Sequence, residues 1–172
     1  MSPDITDFII TCLYAVYLIL PAYIANISGL AFGGGTPLDL SKNFRDGRRI
    51  IGDGVTQRGF IIGTILGTIV GIIQGIIIGS PIHGLILGFL LSFGALLGDG
   101  VGSFIKRRLN IARGNPAPVL DQLDFIVGAL ILASLYIHIS WTAVLIIAVI
   151  TFIVHIISNM IAHLIGIKDV WY

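Results

Sequence analysis

Glutamate is absent from this 172-residue chain, and only one cysteine is present. Charged residues of every kind make up 11%. A soluble domain of ordinary composition carries about 25%, so a water-soluble monomer is excluded. The lone Cys12 rules out an intrachain disulfide framework and a cysteine-built zinc site. A net charge of +1 offers little to a phosphate backbone, and no nucleic-acid partner is expected. No Gly-x-x-x-x-Gly-Lys-Ser/Thr, His-Glu-x-x-His or Gly-x-Ser-x-Gly string occurs, which removes the P-loop, the zincin helix and the nucleophile elbow. The first seven residues hold Asp4 and Asp7 but no Lys or Arg, so no cleavable leader is expected.

What fills the chain instead is apolar. Hydrophobic residues reach 56%, isoleucine alone occupies 34 positions and glycine 22, and the mean hydropathy is +1.01. A chain this rich in Ile, Leu and Val is not disordered. A helix needs about 20 apolar residues to cross a bilayer core. Five stretches qualify, at about 8–30, 60–79, 82–98, 125–139 and 141–167. The expected fold is an all-α polytopic membrane protein of five spans, one integral domain over 1–172. Ser80-Pro81 and Ser140-Trp141 are short punctuations that make their neighbours antiparallel hairpins.

No Lys, Arg or Asp lies inside the five stretches. All ten cations fall in the loops 31–59 and 99–124 or at Lys168. An odd number of spans puts these regions on one side, and the excess of Lys and Arg makes that side cytoplasmic. The N-terminus is then outside and the C-terminus inside, in a multi-pass cell-membrane protein whose chemistry faces the cytoplasm.

Gly63, Gly67, Gly71, Gly75 and Gly79 recur every fourth residue, and Gly84 and Gly88 continue the pattern. Small residues at this spacing let helix backbones approach closely in lipid. A groove admitting a lipid chain is the alternative. His83, His138 and Trp141 read as interfacial. Asn26, Gln74, His155, Asn159 and His163 lie deeper or near the inner end, the last three on one helical face. Such a stripe suits a helix contact, a metal or a proton relay.

The chemistry is therefore expected in the loops. Asp121 and Asp124, three apart, share one face of a helix starting after Pro118, and Asp99 lies at the same membrane surface. Three carboxylates there suit a hard divalent cation, with Mg²⁺ the default for phosphate work. Lys106, Arg107 and Arg108 can neutralise phosphate oxygens. Gly98, Gly100 and Gly102 would let backbone N–H groups approach an anion.

These residues resemble a family signature. Gly98-Asp99, Ser103, Lys106-Arg107 and Leu120-Asp121-Gln122-Leu123-Asp124 are similar to the motif of the CDP-diacylglycerol synthases. The likeness is closer to the CDP-archaeol synthases, which share the first-loop pattern Pro37-x-Asp39, Asp46-Gly47-Arg48-Arg49, Gly52-Asp53-Gly54, Thr56 and Arg58-Gly59, together with Asn26. Gln122 and Val55 depart from the pattern, at positions where Arg and Lys would be expected.

The resemblance implies transfer of CMP from CTP to a lipid phosphate with isoprenoid ether chains. It implies Mg²⁺ on Asp99, Asp121 and Asp124. Lys106, Arg107 and Arg58 would contact the triphosphate or the lipid phosphate. Asp53, Thr56 and Ser103 would orient the nucleotide or metal-bound water, and the glycine-rich spans would leave a groove for isoprenoid chains. Two alternatives stand beside it. One is a CDP-alcohol phosphatidyltransferase, whose Asp-Gly-x-x-Ala-Arg pattern is not met by Asp46-Gly47-Arg48-Arg49-Ile50-Ile51. The other is a non-enzymatic membrane transporter or scaffold. The oligomeric state is not specified by the sequence.

Overall fold

The computed structural model describes residues 3–112, 115, 117 and 119–164, and among these no side chain of Pro3, Asp4, Asn159 or residues 161–163. Arg113, Pro118, Lys168, the end of the fifth expected span (165–167) and the side chains of Asn159 and His163 lie outside the described residues. Five helices follow in order: α1 (Pro3–Ala31), α2 (Gln57–Ile77), α3 (Pro81–Arg108), α4 (Leu120–Ser134) and α5 (Trp141–Leu164). Four of them, α1, α2, α3 and α5, are long and apolar enough to cross a membrane. The fourth, α4, has 15 residues, short of the about 20 that a full crossing takes.

The third and fourth helices differ from expectation in ways that bear on the site. The third segment does not stop at 98 but runs as one helix to Arg108, so Asp99, Ser103, Lys106 and Arg107 sit on helix rather than loop. Lys106, Arg107 and Arg108 occupy its last turn, where cations complement the negative end of the helix dipole. The fourth helix starts five residues earlier than the expected span and ends at Ser134. Thr56 begins α2 as its N-cap, with its Oγ1 accepting from Gly59 N at 3.2 Å.

Packing follows the glycines. Every buried residue described in α2 is a glycine: Gly59, Gly63, Gly67, Gly71 and Gly75. Its Ile61, Ile65, Ile69 and Ile73 are exposed on the other side, where lipid would lie. A Cβ on Gly71 would sit 2.6 Å from the carbonyl oxygen of Gly84, and one on Gly63 would sit 2.6 Å from that of Ala25. Much of the ridge is thus taken up by backbone-to-backbone contact with α1 and α3, and a cavity of about 120 Å³ remains beside Gly71, Gly75, Gly84 and Gly88.

A second ridge, Gly94, Gly98 and Gly102, faces α4. A Cβ at Gly94 would lie 3.0 Å from Ala129 Cα, and one at Gly128 would lie 2.8 Å from Gly98 Cα. Positions two apart on a helix point about 200° apart, so Ser92 and Leu96, which continue the α2-facing row of Gly84 and Gly88, lie opposite Gly94 and Gly98 of the α4-facing row. That helix is the centre of the bundle. An apolar core of Leu18, Ile19, Leu91, Phe125, Ile126 and Ile147 joins α1, α3, α4 and α5. The apolar groove that does open lies between α3 and α4, about 410 Å³ in volume.

Gln74 has a structural role. Pro21 lies inside α1 and has no N–H, so the carbonyl four residues earlier, on Tyr17, loses its helical partner. Gln74 Nε2 donates to that carbonyl at 2.6 Å, and Tyr17 Oη donates back to Gln74 O at 3.2 Å. In a medium without water an orphaned carbonyl is costly. We expect Gln74→Leu to lower stability by about 1–3 kcal/mol in detergent thermal unfolding. In a Pro21→Ala background, where an N–H returns to Tyr17, the same substitution should cost markedly less. Equal costs in the two backgrounds would show that Gln74 does not serve the proline.

Candidate active site

The first loop is organised by one carboxylate. Asp39 is buried and accepts five hydrogen bonds: from Ser41 N at 3.0 Å, Ile51 N at 2.9 Å, Gly52 N at 2.9 Å, Arg49 Nη2 at 2.7 Å and Arg49 Nε at 3.3 Å. Gly52 donates from a left-handed backbone at φ 98°, a conformation that glycine reaches without strain. Burial alone would raise this carboxyl. The Arg49 guanidinium and the three backbone N–H groups outweigh it and hold Asp39 well below the usual carboxylate range. Arg49 also pairs with the half-exposed Asp53 at 2.8 Å.

The loop is then clamped onto the end of α3. Arg108 donates to Asp46 Oδ1 at 3.0 Å and to Arg49 O at 2.6 Å. Its guanidinium carbon lies 4.9 Å from the ring centroids of both Phe44 and Phe104, a cation–π arrangement. Arg48 donates to Arg108 O at 2.8 Å, satisfying a carbonyl at the end of the helix. Arg108, expected to meet phosphate, is therefore tied up in holding the loop. Nothing in the sequence pattern separates it from Lys106 and Arg107. Only the position of Asp46 and the two aromatic rings does.

Besides the apolar groove, two cavities flank the C-terminal half of α3. A small polar cleft of about 90 Å³ is lined by Asp53, Ser103, Lys106, Arg107, Gly52 and Asn115. Arg107 Nε is buried without a hydrogen-bond partner among the described residues, as is Arg108 Nε. A larger cavity of about 400 Å³ lies between α1, α3 and α5, with Asp99 on one wall and Tyr23, Asn26, Thr151 and His155 opposite. Gly54, Val55 and Thr56 close its loop side, and Gly54 also lines the cleft, so the Gly52–Thr56 strip separates the two spaces. Asp99 and Ser103 are one helical turn apart, and each borders a different cavity.

The three predicted metal carboxylates lie within electrostatic reach of one another. Asp99 and Asp124 each feel Lys106 and Asp121, and Asp124 also feels Asp99. Gly102 makes this possible, since a Cβ there would meet the Asp124 side chain. Asp121 is paired with Lys106 at 2.6 Å and accepts from Ala117 N at 2.8 Å. Asp124 Oδ1 accepts from Phe125 N at 2.7 Å. No hydrogen bond from the described residues reaches Asp99. Among the described residues no three such side chains come together closely enough to hold a metal ion. The donors are nevertheless hard oxygens, with Asp99 on the larger cavity, Asp124 on the apolar groove, and Asp99 accepting no hydrogen bond from the described residues. That set suits Mg²⁺.

Other expected residues are placed differently. Gly98 lies mid-helix, with its missing side chain against Asp124 and Phe125 of α4. Its N–H belongs to the helix, so it presents no anion cradle, and neither does Gly102. Thr56 is committed to the α2 cap and to Gly34 N at 3.2 Å. Arg58 is exposed on the first turn of α2 and borders neither cavity. The cavity wall made by Tyr23 and Thr151 was not anticipated. Their hydroxyls meet at 2.6 Å, a pairing across the chain that no local pattern announces.

Comparison with known proteins agrees with this geometry. The family model described as CarS-like, CDP-archaeol synthase, matches residues 5–172. A CDP-archaeol synthase of Methanothermobacter thermautotrophicus is 63% identical over 172 residues, covering 100% of both chains. That of Methanocaldococcus jannaschii is 53% identical over 169 residues, covering 92% of this chain and 96% of its own. A solved structure described as "Structural insight into an intramembrane enzyme for archaeal membrane lipids biosynthesis" superposes with a TM-score of 0.80 at 38% identity, covering 86% of this chain and 93% of that one.

The Asp39 hub has a pH signature. A carboxyl held below its unfolded value stabilises fully above about pH 4–5, and that stabilisation drains as pH falls towards the folded value. The first loop should stay protected from amide hydrogen exchange at pH 5 and open progressively below about pH 4. Asp39→Ala should open it at neutral pH, at a cost of about 3–5 kcal/mol. Unchanged protection of residues 41–52 in that variant would remove Asp39 from this role.

Proposed function

The chain belongs to the CDP-archaeol synthase family, and from that premise we propose how its residues carry the reaction. It is a CTP-dependent cytidylyltransferase that moves CMP from CTP onto an isoprenoid ether-lipid phosphate, giving a CDP-archaeol-type lipid and pyrophosphate. A phosphate oxygen of the lipid bonds to the α-phosphorus of CTP, and the bond to the pyrophosphate oxygen breaks. The nucleophile is already anionic, so no strong general base is required. Positioning and charge neutralisation carry the rate.

The observation behind the residue assignments is that one turn of α3 borders both cavities. In our reading the triphosphate lies in the small cationic cleft against Lys106 and Arg107, with Ser103 and Asp53 beside it. The lipid phosphate approaches from the larger cavity, on the Asp99 side. Thr56 acts by fixing the strip between them, and exposed Arg58 draws the polyanion in from the rim. Asp99 and Asp124, joined by Asp121 once it gives up Lys106, are the residues that would hold Mg²⁺. When bound, the ion would offset phosphate charge.

We further propose that α4 and the residues following it complete a fifth crossing, with the N-terminus outside. The eight described cations support this. The first loop and the end of α3 are bonded together, which gathers Lys and Arg at one end of the bundle, and a cytoplasmic placement of that end accords with the bias of such loops.

The test is pyrophosphate release by purified protein given CTP, Mg²⁺ and either an ether-isoprenoid glycerol phosphate or diacyl phosphatidate. Release with the ether lipid is expected. CMP release from a CDP-lipid without CTP turnover would point to a phosphatidyltransferase instead. Asp99→Asn should cut turnover by at least about 100-fold while unfolding at the wild-type temperature. Retained turnover would take Asp99 out of the chemistry. Lys106→Ala should raise the CTP concentration needed for half-maximal rate at fixed Mg²⁺, and an unchanged CTP dependence would move Lys106 off the nucleotide.

A further inference from the structure

The larger cavity has an unusual charge inventory for a space meant to receive a phosphate. Its described lining includes the carboxyl group of Asp99 but no Lys or Arg. The loop side contributes Val55, an apolar and buried wall. The eight described cations lie elsewhere: Lys106 and Arg107 line the other cleft, Arg48, Arg49 and Arg108 are bonded within the loop clamp, Arg58 is at the rim, and Lys42 and Arg45 do not border the cavity. A phosphate monoester lodged there meets no Lys or Arg in the described lining, so any charge-assisted hydrogen bond beyond what a metal ion on Asp99 would supply has to come from another side chain of the wall.

One described side chain on that wall can carry positive charge, and it is His155 of α5. It stands in a polar strip. Thr151 lies one turn before it and Ser158 one turn after, both lining the same cavity, so the three share a helix face. Across from them α1 supplies Tyr23 and Asn26. The strip is held in register with α1 by the Tyr23–Thr151 hydroxyl bond at 2.6 Å and by packing of the Tyr23 ring on Phe125, with centroids 5.7 Å apart. The rest of the wall, including Ile27, Leu30 and Val154, is apolar, as suits the start of a lipid chain.

We propose that the α1–α5 wall of the larger cavity is the seat of the acceptor's glycerol phosphate, with His155 as the cationic residue that reads the phosphate monoester and Ser158 as a neutral donor beside it. This rests on the cytidylyltransferase reading and adds to it which wall distinguishes acceptor from nucleotide. His155 positions the nucleophile and takes no part in the bond changes. Asp99 and the His155 strip then face each other across the acceptor.

The experiment measures half-saturating concentrations for both substrates separately, using an ether-isoprenoid glycerol phosphate in mixed micelles and CTP. CTP binding is also measured by equilibrium dialysis without lipid. His155→Ala should raise the lipid-phosphate value about ten- to hundredfold, the worth of one charge-assisted hydrogen bond, while CTP binding and its half-saturating value stay within about twofold. His155→Lys, which restores a cation, should recover part of the loss. Ser158→Ala should raise the lipid value several-fold and serves as the deciding variant if His155→Ala does not fold. An unchanged lipid-phosphate value in whichever of these fold, or a shift confined to CTP, overturns the assignment. A wild-type protein that releases no pyrophosphate from CTP overturns the underlying reading first. Wild-type turnover with no His155 or Ser158 effect overturns only this one.

Discussion

Close approach of α3 to two neighbours is the constraint on which the rest depends. In lipid there is little hydrophobic gain from bringing helices together, so association relies on contact and polar pairing. Here the contact is made by removing side chains. Gly71 and Gly75 of α2 meet Gly84 and Gly88 near the start of α3, and farther along the same helix Gly94, Gly98 and Gly102 meet α4. The second ridge does more than pack. Because nothing projects from Gly98 or Gly102, the first turns of α4 press onto the inner end of α3, and Asp124 comes within electrostatic reach of Asp99. Geometry that looks like plain helix packing thus sets the spacing of the carboxylates.

The charges that remain divide into two groups by what they touch. Asp39, Asp46, Arg48, Arg49 and Arg108 bond chiefly to one another or to backbone, and together they turn a glycine-rich loop into a fixed wall. Asp53, Asp99, Lys106 and Arg107 line the two spaces that this wall and α3 enclose. A membrane enzyme with few charges thus uses five of those at this end of the bundle as scaffold. The Lys106–Asp121 pair stands between the groups, structural in the unliganded geometry yet built from two residues suited to phosphate and metal.

Hydropathy made most of the helices legible, because a chain without charge for some twenty residues has few other solutions. The α2 ridge was equally plain, since four-residue spacing of glycine has one main use in lipid. The end of α3 was not. Three glycines in Gly98-Asp99-Gly100-Val101-Gly102 suggest a flexible anion cradle, whereas two of them are contact points in a continuous helix. Local composition cannot distinguish a glycine that frees the backbone from one that admits a neighbour. The grouping of Asp99, Asp121, Asp124, Lys106 and Arg107 was readable because motif spacing fixes chemistry. The division of labour among Arg107, Arg108, Asp39 and Thr56 was not, because it depends on partners ten to sixty residues away.

The repair of the α1 proline has a bearing on biogenesis. A nascent chain delivers α1 to the membrane before α2 has been synthesised. Until the second helix arrives, the carbonyl released by Pro21 has no Gln74 to bond it. The first helix is therefore incomplete by itself and gains an incentive to pair with the next one to emerge. A proline and a glutamine placed 53 residues apart act as a molecular latch for the order in which the bundle assembles.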